Sequence, residues 1–207
     1  MLTLAFTGFP PALEELKEAL SAHHGAALPP ENPGSRWPKS SLGCLANGRR
    51  LNPEELARLH AVCTAHSVVL PAAQPVVVED LQLTLFACRS LERVVARQTL
   101  ELGIDEDAER RVLDDELPSK AAAAAAAATL AEFAPERLAT YWVDVARDGG
   151  REEHYRGDAR GATLVAPLRD TYAAELAAFR AAVDAALPGA YVWFADESLH
   201  ITVRALI

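Results

Sequence analysis

The sequence predicts an α+β fold built from two pseudo-symmetric strand–helix–strand lobes. Three observations predict it. Half of the 207 residues are apolar, enough for a real core, and they recur at helical spacing in some stretches and in alternation in others. The second observation is an internal repeat. Both halves read strand, proline-containing turn, helix, proline-containing loop, tryptophan, then a strand of the form basic-x-hydroxyl-aliphatic-x-x-Leu. His200-Ile-Thr202-Val203-Arg-Ala-Leu206 aligns without a gap on Lys39-Ser40-Ser41-Leu42-Gly-Cys-Leu45, and Leu176–Leu187 aligns on Leu13–His24. The third is the C-terminal stretch Tyr191–Ile207, whose aromatic and β-branched residues predict two strand pieces flanking a turn at Ala195-Asp196-Glu197. Alternation along the second piece puts His200, Thr202 and Arg204 on one face and Leu199, Ile201 and Val203 on the other.

Leu2–Thr7 predicts a short strand, broken by Gly8, Pro10 and Pro11. Ala12–His23 has Leu13, Leu16, Ala19 and Leu20 at helical spacing, and His23 and His24 close that helix where a cation suits the macrodipole. Residues 25–35 form a proline-rich loop, and Arg36–Leu45 is a strand introduced by Trp37. Asn52-Pro53-Glu54-Glu55 carries a helix start: asparagine as N-cap, proline at the first helical position, and a glutamate placed for a capping box. The helix extends to about His66. Its His60, Cys63 and His66 rotate by about 60° at each step, so they do not converge on a metal as an i, i+4 pair does. Val76–Cys88 is a strand with Leu81, Leu83 and Leu85 on one face and Gln82 and Thr84 on the other, followed by Arg89-Ser-Leu-Glu-Arg93.

Residues 104–136 form an acidic and alanine-rich helical connector. Eight alanines run from Ala121 to Ala128, and Ser119 is placed to cap the helix they predict. Beyond it, Thr140–Arg147, the turn Asp148-Gly-Gly150 and Glu153–Arg156 predict a β-hairpin. Ala162–Pro167 is a strand, and Asp170–Leu187 a helix with Leu176, Phe179, Val183 and Leu187 as its apolar stripe, ended by Pro188 and Gly189.

A formal net charge of −9 argues against a generic nucleic-acid coat, which needs clustered Lys and Arg, though it leaves room for a local basic cleft. Cys44, Cys63 and Cys88 are an odd, unpatterned set, expected as reduced thiols in a cytoplasmic protein. The opening residues lack a basic region and meet Glu14 and Glu15 early, and no run of about 18 apolar residues occurs, so neither a signal peptide nor a membrane partner is expected.

A bilobal α+β chain with one H-x-[T/S] strand per lobe resembles the 2H phosphoesterase superfamily, which includes RNA 2′,3′-cyclic phosphodiesterases and the so-called 2′-5′ RNA ligases. Ala162–Leu206, with Ser198-Leu-His-Ile-Thr-Val-Arg204, is similar to the family's first lobe. Leu2–Arg93, with Val78-Glu-Asp-Leu-Gln-Leu-Thr-Leu-Phe86, is similar to its second. The lobes, 1–103 and 137–207 here, stand in permuted order, and Lys39 fills the second histidine position. The resemblance implies a 2H phosphoesterase-like fold with antiparallel sheets around a central cleft, and in that cleft an acid–base pair flanked by hydroxyls that hold a phosphate. His200, Thr202, Lys39 and Ser41 are then the expected catalytic residues and Arg204 a substrate-binding one. No cofactor and no metal are implied, and the partner is RNA or a nucleotide carrying a phosphodiester.

Lysine stabilises phosphate charge but is a poor base at neutral pH, its reference pKa being about 10.4. Two functions therefore stand side by side. One is a 2H-like phosphoesterase, weakened by the missing imidazole, acting on a cyclic or 2′-5′ phosphodiester. The alternative is a catalytically inactive 2H-like module that binds RNA, a nucleotide or a protein. A structural domain without a ligand would follow if Lys39 and His200 lay on different surfaces.

Overall fold

The computed structural model describes residues 1–24, 27–31, 37–70, 76–102, 117–132, 134–137, 140, 151–169 and 171–207. Among them run strands β1 (Leu2–Ala5), β2 (Lys39–Leu45), β3 (Asp80–Phe86), β4 (Val94–Glu101), β5 (Gly161–Pro167), β6 (Tyr191–Trp193) and β7 (His200–Ala205). The α-helices are α1 (Pro11–His24), α2 (Pro53–Ser67), α3 (Lys120–Ala131), α4 (Glu152–Arg156) and α5 (Ala173–Ala186). The strands form two antiparallel sheets, one ordered β1-β2-β6 and the other β4-β3-β5-β7. The chain is therefore α+β. Each sheet draws strands from both the N-terminal and the C-terminal segments, because β6 and β7 part company at the short turn Asp196–Ser198.

Local chemistry explains where the helices begin. The Asn52 side chain accepts a hydrogen bond from the Glu55 N–H at 2.9 Å, and the Glu55 carboxylate accepts one from the Asn52 N–H at 2.9 Å, so α2 starts in a complete capping box with Pro53 as its first residue. Ser119 caps α3 by accepting from the Ala122 N–H at 3.1 Å. Gly189, with φ of 65°, turns the chain after α5 in a conformation that favours glycine.

The core has three clusters. On the three-stranded sheet, Leu45 and Tyr191 meet Leu56 and Leu59 of α2, Val183 of α5 and Leu187 just beyond its end. Leu4, Leu42 and Cys44 pack with Leu168, Tyr172, Leu176, Phe194 and Leu199. On the four-stranded sheet, Leu81, Leu164, Ala166, Ile201 and Val203 are covered by Phe9 and by Leu13 of α1. His66 of α2 packs edge-on against Phe179, with ring centroids 5.6 Å apart.

The two strand pairs that carry the repeat share one register. Ala5 lies opposite Lys39, Leu4 opposite Ser40 and Thr3 opposite Ser41; then the pairing skips Leu42, and Leu2 meets Gly43. Likewise Pro167 lies opposite His200, Ala166 opposite Ile201 and Val165 opposite Thr202; then the pairing skips Val203, and Leu164 meets Arg204. The β-bulge falls at the same step in both.

One expectation is corrected and one strand is added. Glu153–Arg156 belongs to helix α4 and not to a hairpin strand. Its acids stand at the N-terminal end and Arg156 at the C-terminal end, which suits the helix dipole, while the Glu153 N–H donates to the Asn47 side chain and Arg156 clasps Glu92. The expected strand beyond Thr140 and the turn at 148–150 lie outside the described residues, as does most of the acidic stretch of the connector. The added strand is β4, which the sequence pattern does not announce, paired along its length with β3.

Candidate functional site

Lys39, Ser41, His200 and Thr202 line one cavity of about 50 Å³, together with Trp37. Lys39 and Ser41 come from β2, the central strand of its sheet, and His200 and Thr202 from β7, the edge of the other. Alternation explains why these four point the same way. In both strands the site residues are partly buried while Ser40, Leu42, Ile201 and Val203 between and after them are buried. The two strands approach each other, so the exposed rows of both meet in the cavity.

The histidine is held in a defined tautomer. Its Nδ1 lies 2.7 Å from the Ser198 carbonyl oxygen, an acceptor only, so Nδ1–H donates and Nε2 carries the lone pair of the neutral ring. Burial lowers the His200 pKa from the usual imidazole value; the bond to Ser198 opposes that shift, and the positive charge of Arg97 adds to it. At neutral pH the ring is a base with its lone pair on Nε2. Ser198 itself is fixed by the tight turn, its hydroxyl donating to the Ala195 carbonyl at 2.7 Å.

Lys39 lies with its Nζ 4.5 Å from the centroid of the Trp37 ring, a cation–π contact. Burial, and then repulsion from Lys17, lower its pKa from the usual ammonium value, so it gives up a proton more readily than a solvated lysine. Trp37 is an addition to the expected site residues. It stands two residues before Lys39 and four before Ser41, and that spacing is the signal that could have placed it on the same face.

Arg204 is a correction. It is only 2% exposed and does not line the cavity. Val165 faces Thr202 while its neighbour Leu164 faces Arg204. Opposed residues share a face and neighbours do not, so the bulge at Val203 turns Arg204 to the opposite side from Thr202. There its Nη2 donates to the Pro29 carbonyl at 3.0 Å, close to where Lys17 of α1 donates to the Val203 carbonyl at 2.9 Å.

Chemically the cavity offers a neutral imidazole, an ammonium and two hydroxyls, a set suited to binding a phosphoryl group and moving protons around it. Among the described residues no group of three His, Cys, Asp or Glu side chains converges, and no helix is long and apolar enough to cross a membrane. Comparison with protein-family models, with characterised proteins and with solved structures found no match to this chain.

Proposed function

We propose that the cavity is the phosphate site of a 2H-like phosphoesterase acting on a cyclic or 2′-5′ phosphodiester of a nucleotide or RNA. The observation that carries this reading is the meeting of two basic-x-hydroxyl pairs, Lys39 with Ser41 and His200 with Thr202, around one small cavity. The shared register and shared bulge of β1–β2 and β5–β7 support a duplicated lobe, and with it the resemblance to a family whose two lobes each supply one such pair.

Hydrolysis of a 2′,3′-cyclic phosphate begins when Nε2 of His200 takes a proton from water. The water oxygen bonds to phosphorus, and the bond from phosphorus to one ribose oxygen breaks. Lys39 gives a proton to that leaving oxygen, and Ser41 and Thr202 donate to the phosphate oxygens as charge builds on them. Solvent then returns the proton from His200 to Lys39. Burial serves both groups, since it favours a neutral imidazole and a less basic amine.

The second reading, a module that binds the same ligand without turning it over, is favoured by one feature: an ammonium stands where the family has an imidazole. Hydrolysis of adenosine 2′,3′-cyclic phosphate, followed by the appearance of the monophosphate, separates them. Turnover that disappears in His200→Ala supports the enzyme; binding without turnover supports the module.

A further inference from the structure

A cavity of about 50 Å³ accommodates a phosphoryl group but falls far below the roughly 300–1,000 Å³ of pockets that enclose a whole small ligand. The remainder of a nucleotide must lie outside it, and the sheet registers say which side chains share the face that carries His200. Thr202 is opposite Val165, Val165 opposite Gln82, and Gln82 opposite Thr99. Opposed residues share a face, so these belong to the face that carries His200. Arg97 lies two residues from Thr99 on the same strand, opposite Thr84, and shares that face too.

Two facts distinguish Arg97 from an ordinary surface arginine. It stands on β4, the edge strand opposite β7, where every residue is exposed. It is close enough to His200 for its charge to act on the imidazole. Some arginines are tied to carboxylates, Arg93 to Asp158, Arg156 to Glu92, Arg180 to Asp196 and Arg169 to Asp80, while others, Arg58 of α2 among them, form no ion pair among the described residues. Arg97 has no such ion pair among the described residues. In a chain of net charge −9, a guanidinium without an ion pair among the described residues, on the face that carries the imidazole, disfavours protonation of that imidazole and attracts anions to the same face.

We propose that Arg97 holds a second phosphate, so that the ligand of this site is a nucleotide chain carrying at least two phosphates and not a cyclic mononucleotide alone. The proposal rests on the phosphodiester reading above. One phosphate occupies the cavity between Lys39 and His200; the chain then crosses the sheet face past Gln82 and Thr99, and the planar guanidinium receives the second phosphate with paired N–H donors.

Calorimetric titration tests it with three ligands: adenosine 2′,3′-cyclic phosphate, the same nucleotide with a 5′-phosphate, and a dinucleotide ending in a 2′,3′-cyclic phosphate. Natural protein is expected to bind one or both two-phosphate ligands about tenfold more tightly than the first, as one charge-assisted contact supplies. Which of the two gains shows whether the second phosphate sits at the 5′ position or one nucleotide further along the chain. Arg97→Gln should abolish most of that preference, whereas Arg58→Gln on α2 should keep it. If the natural protein binds all three ligands alike, with His200→Ala weakening every one, the second subsite is wrong and the phosphodiester reading stands. A preference that survives Arg97→Gln likewise overturns the subsite alone. No binding of any ligand, or binding that ignores both His200→Ala and Lys39→Ala, overturns the reading and the subsite together.

Discussion

Lys39 and His200 line the same cavity from two different sheets, and each sits opposite the last residue of a strand that leads into a helix: Ala5, before α1, for Lys39 and Pro167, before α5, for His200. Neither side chain reaches the cavity by a loop. Both are set on paired strands, so their orientation follows from register and alternation, and a site on rigid elements holds its geometry better than one on loops.

That register predicts how salt enters binding. Lys39→Ala should weaken binding of a cyclic nucleotide, with the deficit shrinking as salt rises, because an ammonium acts on phosphate mainly through charge. Titrations of both proteins at low and at high salt check this. A deficit that is the same at both would mean that Lys39 acts through shape.

His200 supplies a pH dependence. Its folded pKa is lowered, so the unfolded chain binds the proton more tightly than the folded one near the imidazole range. The stability associated with the neutral ring is then fully present above the unfolded value of about 6.5 and declines as pH falls toward the folded pKa. His154 is also shifted down, by burial and then by Arg151 and Arg89, so the measurement is a difference. Urea unfolding of natural protein and His200→Gln between pH 8 and 5 should show the natural protein losing more stability on acidification. An imidazole resonance of His200 titrating at or above 6.5 would contradict this.

Arg204 makes a packing prediction. Its side chain is buried, with Nε and Nη1 lacking partners among the described residues and one bond to Pro29. Arg204→Ala should cost roughly 2–4 kcal/mol through the cavity it leaves, while Arg204→Met, which fills the space without a charge, should cost less. Equal losses in the two variants, measured by urea titration, would place the value of Arg204 in its charge.

Asn52→Ala should cost about 1 kcal/mol, since it removes half of the capping box that starts α2. The box lies in α2, whose residues are not among those lining the cavity. An unchanged urea midpoint would count against the cap as a stabilising element.

The readable parts of this molecule are those where one local rule acts alone. Asn52-Pro53 and Ser119 mark helix starts because capping is decided within four residues. Lys39, Ser41, His200 and Thr202 can be grouped because alternation is strict over three residues of a strand. Arg204 defeats the same rule, because the bulge at Val203 involves neither glycine nor proline and leaves no mark in the sequence. β4 escapes for another reason. Periodicity reports burial, and a strand exposed along both faces has none to report. Arg97 is invisible with it. The separation of β6 and β7 into different sheets depends on long-range pairing, which the turn Asp196–Ser198 permits but does not specify.

The most direct measurement is the rate of 2′,3′-cyclic nucleotide hydrolysis across pH for natural protein, His200→Ala and Lys39→His. If the cavity is a phosphoesterase site, His200→Ala should lower turnover by roughly 10²–10⁴-fold with the fold intact, as loss of a general acid–base does. Lys39→His, which pairs one neutral with one protonated imidazole near pH 7, should raise turnover and give a bell-shaped profile. Hydrolysis that survives His200→Ala undiminished would put the chemistry elsewhere and contradict the account.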